Sequence, residues 1–323
     1  MAFLTLLDIA KRSGNDTSLG LIEEGVKTCP ELTKIPGRPV AGIEYTYLKR
    51  TGRPPVGFRA ANAGVESGKS TYEQVRALMY MLSGIVEVDK GVADADPQGP
   101  EALQGDEASG VAQSLMEAVG AQVWDGTAAD SKGFQGVKQA LDPGLALADG
   151  GRVAKADTTS GGNNTSVYLV RYGRDGLAFD FGKNGQLELS EFRTETKRKT
   201  VNGVETAYPV YTADLTGWIG LRLSTHEAAM RIANVREQDG KAGLSDAIIA
   251  KALRYWRGRA PDAIWMNRTA AYLLQASRSV TIMSGAGGKP TGAVENFAPM
   301  PTEVYGIPIV ITDSIGDSEA FVA

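Results

Sequence analysis

The clearest pattern along the chain is a helical repeat of apolar positions between residues 107 and 124. Asp106 and Glu107 fall in the predicted first turn, where the helix dipole favours negative charge. Asp125-Gly126 is the predicted end of the helix. Large apolar side chains recur at every fourth residue and form one face of this helix: Val111, Leu115, Val119 and Val123. We expect that face to pack against the core, where each large side chain contributes about 1.5–3 kcal/mol if it is fully buried.

Most of the other apolar positions alternate with polar ones, which is the spacing of half-buried strands. Strands are predicted at residues 43–48, 165–172, 176–181, 186–189, 192–201, 208–211, 218–223, 226–235, 262–266 and 307–312. Asn202-Gly203 is a typical hairpin turn between two of them. Two further helices are predicted at 245–257 and 268–276, with Ser245 and Asn267 as their N-caps. This mixture predicts an α+β fold.

The segment 37–90 supports two incompatible interpretations. In the first it begins as a long hairpin, because Tyr45 and Tyr47 alternate with polar residues before a tip at 50–55 and a predicted return strand at 56–60. A two-stranded hairpin has little core of its own, so it must pack against another body. Basic side chains crowd the tip of this hairpin: Lys49, Arg50, Arg53 and Arg59.

The second interpretation is a phosphate-binding loop. Residues 63–70 read AGVESGKS, which matches the loop of nucleotide hydrolases except that Ala63 replaces the first glycine. Such a loop needs a buried strand before it and a helix after it. The preceding residues, 56–62, contain Arg59 and only two large apolar side chains, a poor composition for a central strand. We therefore prefer the hairpin, with Lys69 at its base, and keep nucleotide hydrolysis as the second hypothesis.

Residues 72–88 fit two periods. Val75, Leu78, Met79 and Leu82 are spaced as on one face of a helix. Gly84 interrupts that helix, however, and the isoleucine and valines that follow it favour a strand.

Composition narrows the classes of function. The 34 basic and 38 acidic side chains give a net charge of −4, without the basic excess expected of a sequence-specific DNA-binding protein. Cys29 is the only cysteine, so neither an intrachain disulfide nor a cysteine-based zinc site is expected. No apolar run approaches the ~18 residues that span a bilayer. We predict no cofactor, no metal and no membrane partner.

The residue types offer no coherent catalytic set. His226 is the only histidine, so a Ser-His-Asp site would have to use it, yet it lies between two predicted strands. Asp180-Phe181-Gly182 matches the metal-binding triplet of kinases without the other kinase motifs. We therefore predict a structural protein and not an enzyme.

Several separated blocks resemble tailed-phage major capsid proteins. The opening MAFLTLLDIAKR resembles the start of one group of these proteins from short-tailed phages. The order of the blocks over nearly the whole chain makes the resemblance specific. The blocks after the opening are 64–65, 67–70, 74–75, 81–82, 87–90, 164–170, 220–223, 231–235, 266–269 and 305–310.

The resemblance implies the α+β capsid fold of phage Hong Kong 97. The expected parts are an N-terminal arm at 1–36, an extended hairpin loop at 37–72, and a peripheral domain at 73–130 joined by 214–236. The peripheral domain contains a long spine helix, which is the predicted helix at 107–124. An axial domain takes residues 131–213 and 237–323. The same resemblance implies a strand and not a helix for residues 72–88.

The implied function is structural. Copies are expected to assemble as hexamers and pentamers into an icosahedral shell around double-stranded phage DNA, in the cytoplasm of the host bacterium. Expected partners are further copies, a separate scaffolding protein, a portal, a decoration protein and packaged DNA through non-specific contacts. A bacterial compartment of the same fold is a third hypothesis.

The resemblance implies three kinds of site residue: residues that contact a neighbouring copy, hinge residues, and residues that pack the spine helix. The extended loop is expected to meet acidic groups on a neighbour through Lys49, Arg50, Arg53, Arg59 and Lys69. Gly64 and Gly68 are expected hinges, because one chain must fit both fivefold and sixfold rings. The spine helix is expected to pack through the stripe of Val111, Leu115, Val119 and Val123.

Overall fold

The computed structural model describes residues 27–141, 144, 147–157, 161–185, 187–201, 204–237, 243–278, 280–282, 294–296 and 299–322. Most of the predicted arm and the predicted turn at Asn202-Gly203 lie outside these residues. The helices are α1 (Glu31–Lys34), α2 (Lys90–Ala93), α3 (Pro100–Asp125), α4 (Val137–Ala140), α5 (Asp246–Arg254) and α6 (Arg268–Arg278).

Strands make up most of the remaining regular structure. They are β1 (Gly37–Pro39), β2 (Glu44–Gly52), β3 (Thr71–Leu78), β4 (Tyr80–Asp89), β5 (Val153–Lys155), β6 (Thr165–Val170), β7 (Leu177–Phe181), β8 (Leu187–Leu189), β9 (Arg193–Val201), β10 (Val204–Leu223), β11 (Ala229–Val235), β12 (Ala263–Met266), β13 (Val280–Ile282), β14 (Val294–Asn296), β15 (Glu303–Val304) and β16 (Ile307–Ile311).

The predicted long helix is confirmed, but it begins earlier than the apolar repeat indicates. It is α3, which begins at Pro100. Gly99 precedes it with φ 93°, a left-handed conformation that glycine adopts without steric cost. Proline suits the first helical position because its missing N–H would have no partner there. The prediction of a helix over 107–124 therefore misses its first turns, which begin at Pro100.

The predicted return strand at 56–60 is wrong. β2 ends at Gly52 and the chain returns only as β3, which begins at Thr71. Pro54 and Pro55 cannot donate backbone hydrogen bonds to a ladder, which helps to end pairing near them. The strand prediction for residues 72–88 is confirmed by β3 and β4, which are separated at Met79.

The first large sheet has the order β1-β7-β10-β4, and β8 and β9 also pair with β10. β10 is one strand of 20 residues, although the sequence predicted two shorter ones at 208–211 and 218–223. Helix α3 packs on β4. A Cβ atom at Gly84 would lie 2.7 Å from Val111 Cγ1, so the glycine permits this close approach of helix and sheet.

The apolar stripe of α3 lies against this sheet. Leu115, Val119 and Val123 are buried, and they pack with Leu215 and other residues of the same core. Val111 is half-buried at the edge of the same core.

The second large sheet has the order β15-β16-β12-β6-β11-β5. Helices α5 and α6 contribute Ile249 and Leu274 to its buried apolar cluster. Asn267 caps α6, since the backbone N–H of Ala270 donates to its side-chain oxygen over 2.8 Å. Ser245 lies at the N-cap of α5 but forms no side-chain capping bond.

Trp124, at the carboxyl end of α3, joins the helix to the second sheet. Its ring stacks on Tyr168 of β6 at 4.8 Å and lies 5.1 Å from Trp265 of β12. Its indole N–H donates to the buried Glu31 of α1 over 2.8 Å. One core thus fixes the body from which the β2–β3 hairpin projects.

Candidate assembly surface

The β2–β3 hairpin is a sheet of two strands, and no third strand pairs with it among the residues that the structure describes. Its register runs from Glu44 opposite Leu78 to Gly52 opposite Thr71. Tyr45, Tyr47 and Lys49 are half-buried in alternation with more exposed residues, so one face of the ribbon lies towards the body. Residues 53–69 form the tip loop, and all of them are exposed.

The tip loop carries apolar side chains without any cover. Val56 is 91% exposed and Phe58 is fully exposed. Leu48, Val65 and Tyr72 add exposed apolar area nearby in the chain. Contiguous exposed apolar surface on a folded chain marks an interaction site. The predicted contact residues are all basic and do not include these apolar side chains, although the run Val56-Gly57-Phe58 within a proline- and glycine-rich tip signals them in the sequence.

The predicted contact residues all lie on this hairpin. Arg50 is on β2, where its guanidinium lies 5.5 Å from the Tyr72 ring and donates to the Tyr72 hydroxyl over 3.3 Å. Hydrogen bonds from Ser70 and Arg50 lower the pKa of Tyr72. Lys49 is also on β2, whereas Arg53, Arg59 and Lys69 lie in the exposed tip loop.

The two predicted hinge glycines differ in their surroundings. A Cβ atom at Gly68 would lie 2.4 Å from the Pro55 ring, so a larger residue would push the two sides of the tip apart. A Cβ atom at Gly64 would meet nothing within 4 Å. Bending at either position remains a prediction.

A buried carboxylate holds the base of the hairpin to the body. Asp180 on β7 is only 1% exposed and accepts a hydrogen bond from the Tyr45 hydroxyl of β2. It also accepts from Arg38 Nε over 2.6 Å and from Arg222 Nε over 3.2 Å. Arg222 in turn donates to the Arg174 carbonyl over 2.8 Å. Two cations and one hydroxyl therefore converge on one carboxylate.

The pKa values of Tyr45 and Arg38 are shifted in the direction that keeps both groups protonated as hydrogen-bond donors. Burial and the hydrogen bond to Asp180 raise the pKa of Tyr45 to about 12, so its hydroxyl remains a donor at neutral pH. The hydrogen bond to Asp180 raises the pKa of Arg38. The Arg38 guanidinium also lies 4.6 Å from the Tyr45 ring centre, within cation–π range.

The structure contradicts the phosphate-loop hypothesis. β2 ends at Gly52, so no strand leads directly into residues 63–70, and the segment continues into β3 instead of a helix. The loop therefore lacks the helix N-terminus that would receive a phosphate. Asp180, in the kinase-like triplet, accepts hydrogen bonds from Arg38, Tyr45 and Arg222 at the base of the hairpin. The Nδ1 atom of His226 lies 3.1 Å from the Ala140 carbonyl oxygen.

A family model of the major capsid protein GP7 matches residues 41–323. The chain belongs to the GP7 family of major capsid proteins. Its role is that of a structural capsid protein, as the resemblance implied, and no observation supports nucleotide hydrolysis. No protein of curated function matches it in sequence.

Solved capsid structures resemble this GP7-family chain in fold. The structure of bacteriophage Epsilon15 matches with a TM-score of 0.61 and 20% sequence identity, covering 99% of this chain and 97% of the other. A capsid of bacteriophage JBD30 decorated with minor capsid protein trimers matches with a TM-score of 0.49 and 14% identity, covering 98% and 100%. The Epsilon15 match confirms the α+β fold of the Hong Kong 97 type.

Proposed function

We propose that copies of this chain form hexamers and pentamers that close into an icosahedral shell around double-stranded phage DNA. The β2–β3 hairpin carries this proposal, because it has no core of its own and exposes Val56 and Phe58 at its tip. A contact between unlike surfaces on successive copies generates rings. A projecting hairpin that lies on the next copy is such a contact.

The two sheets support a division into domains that differs from the sequence-based boundaries. We assign the peripheral domain the first sheet and α3, which brings residues 177–223 into it. The axial domain takes the second sheet with α5 and α6, including β11. Each assigned domain then has a sheet with its own covering helices.

The other partners follow from the proposed shell. A separate scaffolding protein, a portal and a decoration protein are proposed, with assembly in the host cytoplasm. Local basic positions supply non-specific contacts to packaged DNA, and no catalytic step is assigned to the chain. No helix in the described part of the chain is long and apolar enough to cross a membrane.

Negative-stain microscopy of the purified chain tests the shell directly. Hexamers or closed particles are expected when the neighbouring phage proteins are co-expressed, and a persistent monomer would count against the proposal. Complete particles of uniform size from the chain expressed alone would count against the need for scaffolding.

Reversing charge at the hairpin is expected to weaken assembly. The change Arg50→Glu with Arg53→Glu replaces two positive charges by negative ones on a surface proposed to meet acidic groups. Like charges across an interface disfavour association, so we expect the particle yield to fall about tenfold or more, as measured by sedimentation. The matched control reverses two basic residues of the body, Lys251→Glu with Arg257→Glu. Equal yields from both pairs would contradict the proposed contact.

A further inference from the structure

An open cleft of about 450 Å³ lies between the hairpin and the body. One wall is β2 from Tyr45 to Arg50, and the other includes Arg174, Arg222 and Ser224 of the body. Its volume is in the range of small-molecule sites. The cleft shares Lys49 and Arg50 with the predicted contact residues, but it does not include the exposed tip loop at residues 53–69.

The lining of the cleft is strongly basic. Its charged members are the cations Arg38, Lys49, Arg50, Arg174 and Arg222, with Asp175 as the single acid. Beneath the cleft, Asp180 is shared by Arg38 and Arg222. Five cations against these two carboxylates leave an excess of three positive charges.

The remaining cations lack acidic partners in the described part of the chain, although Arg50 donates a hydrogen bond to the Tyr72 hydroxyl. Lys49, Arg50 and Arg174 form no ion pair with any described residue. The nearest acid in register is Glu73, directly across the ribbon from Lys49, yet the two form no ion pair. Clefts lined by charges of one sign concentrate ions of the opposite sign, so this cleft is electrostatically prepared for an anion.

We propose that the cleft binds a small anion with two or three linked phosphoryl groups. A terminal phosphoryl group carries a charge of about −1.5 to −2 and three acceptor oxygens, so the two terminal groups of such an anion balance the excess within this volume. A carboxylate carries a single negative charge, so three separate carboxylates would be needed to balance the same excess. Arginine forks pair well with phosphate oxygens, and three of the cleft's cations are arginines without an anionic neighbour or shared with one carboxylate only: Arg50, Arg174 and Arg222.

Binding in this cleft fixes the hairpin relative to the body. Lys49 and Arg50 belong to the hairpin, whereas Arg174 and Arg222 belong to the body. An anion shared by both sides adds a bridge to the one that Asp180 makes at the hairpin base. The ligand therefore stabilises the folded chain and also favours one orientation of the hairpin relative to the body.

Sodium tripolyphosphate is the probe, added to the purified full-length chain with sodium chloride at matched ionic strength as reference. We expect a saturable rise in Tm by differential scanning fluorimetry. Arg174→Glu is expected to weaken binding about tenfold or more, since it reverses a charge in the wall of the cleft. Lys251→Glu, on α5 and outside the cleft, is the matched control and is expected to bind as the natural chain does.

Slower trypsin cleavage after Arg59 and Lys69 with the probe, lost in the Arg174→Glu variant, would support the bridge between hairpin and body. A Tm response equal to that of sodium chloride, or one that Arg174→Glu leaves unchanged, would overturn the proposal. Arg174 lies on the body and not in the tip loop, so Arg174→Glu particles that assemble normally separate this result from the test of the shell contact.

Discussion

Replacing Val56 and Phe58 together by serine is expected to abolish shell formation while leaving the isolated chain as stable as before. Both side chains are exposed in the single chain, so removing them takes no packing from its core. In a shell they are proposed to be covered by the neighbouring copy. Covering one such side chain contributes about 1.5–3 kcal/mol.

The expected loss at each contact is therefore about 3 kcal/mol, which weakens that contact roughly a hundredfold. Every copy in a ring repeats the loss, so closed particles should disappear. Sedimentation and negative-stain microscopy measure assembly, and urea unfolding measures the stability of the single chain. Tyr272→Ser, which removes an exposed aromatic side chain from α6, is the control and should assemble normally. Normal particles from the double serine variant would refute the role of the tip.

Replacing Asp180 by alanine is expected to destabilise the folded chain by about 3–5 kcal/mol, because it leaves a buried charge without its partner. That charge is Arg222, which is 8% exposed and keeps only neutral acceptors once the carboxylate is gone. The same change releases Tyr45, so the hairpin loses its attachment at the base.

Tyr45→Phe is the matched control for this prediction. It removes one hydrogen bond to Asp180 and keeps both cations paired, so a cost of about 1 kcal/mol is expected. Unfolding in urea gives the two free energies of unfolding, and hydrogen exchange in β2 reports the attachment of the hairpin. An Asp180→Ala variant that is no less stable than Tyr45→Phe would show that the network does not hold the body together.

Local patterns predict the elements whose signals are local. The repeat from Val111 to Val123 gave the spine helix, and alternation gave most strands, because burial on one face imposes those periods. α3 begins at Pro100, directly after Gly99. The residues that follow Pro100 are mostly polar, so the apolar repeat does not indicate this start. The return strand was misplaced because two large apolar residues, Val56 and Phe58, have the alternating spacing of a strand but lie exposed and unpaired in the tip loop.

The candidate site was only partly predictable. The basic residues of the hairpin are visible in the sequence as a cluster. The Asp180 network is not, since Arg38 and Asp180 are 142 residues apart and meet only after β1 pairs with β7. The basic cleft has the same origin, because Arg174 and Lys49 come from distant parts of the chain.

The hairpin tip of one copy is proposed to lie on the next copy in a closed shell. A cryo-electron microscopy reconstruction of assembled particles would show this contact. We expect density for residues 53–70 against the body of the neighbouring copy, with Phe58 covered. A tip loop that projects into solvent, or that folds back on its own chain, would contradict it.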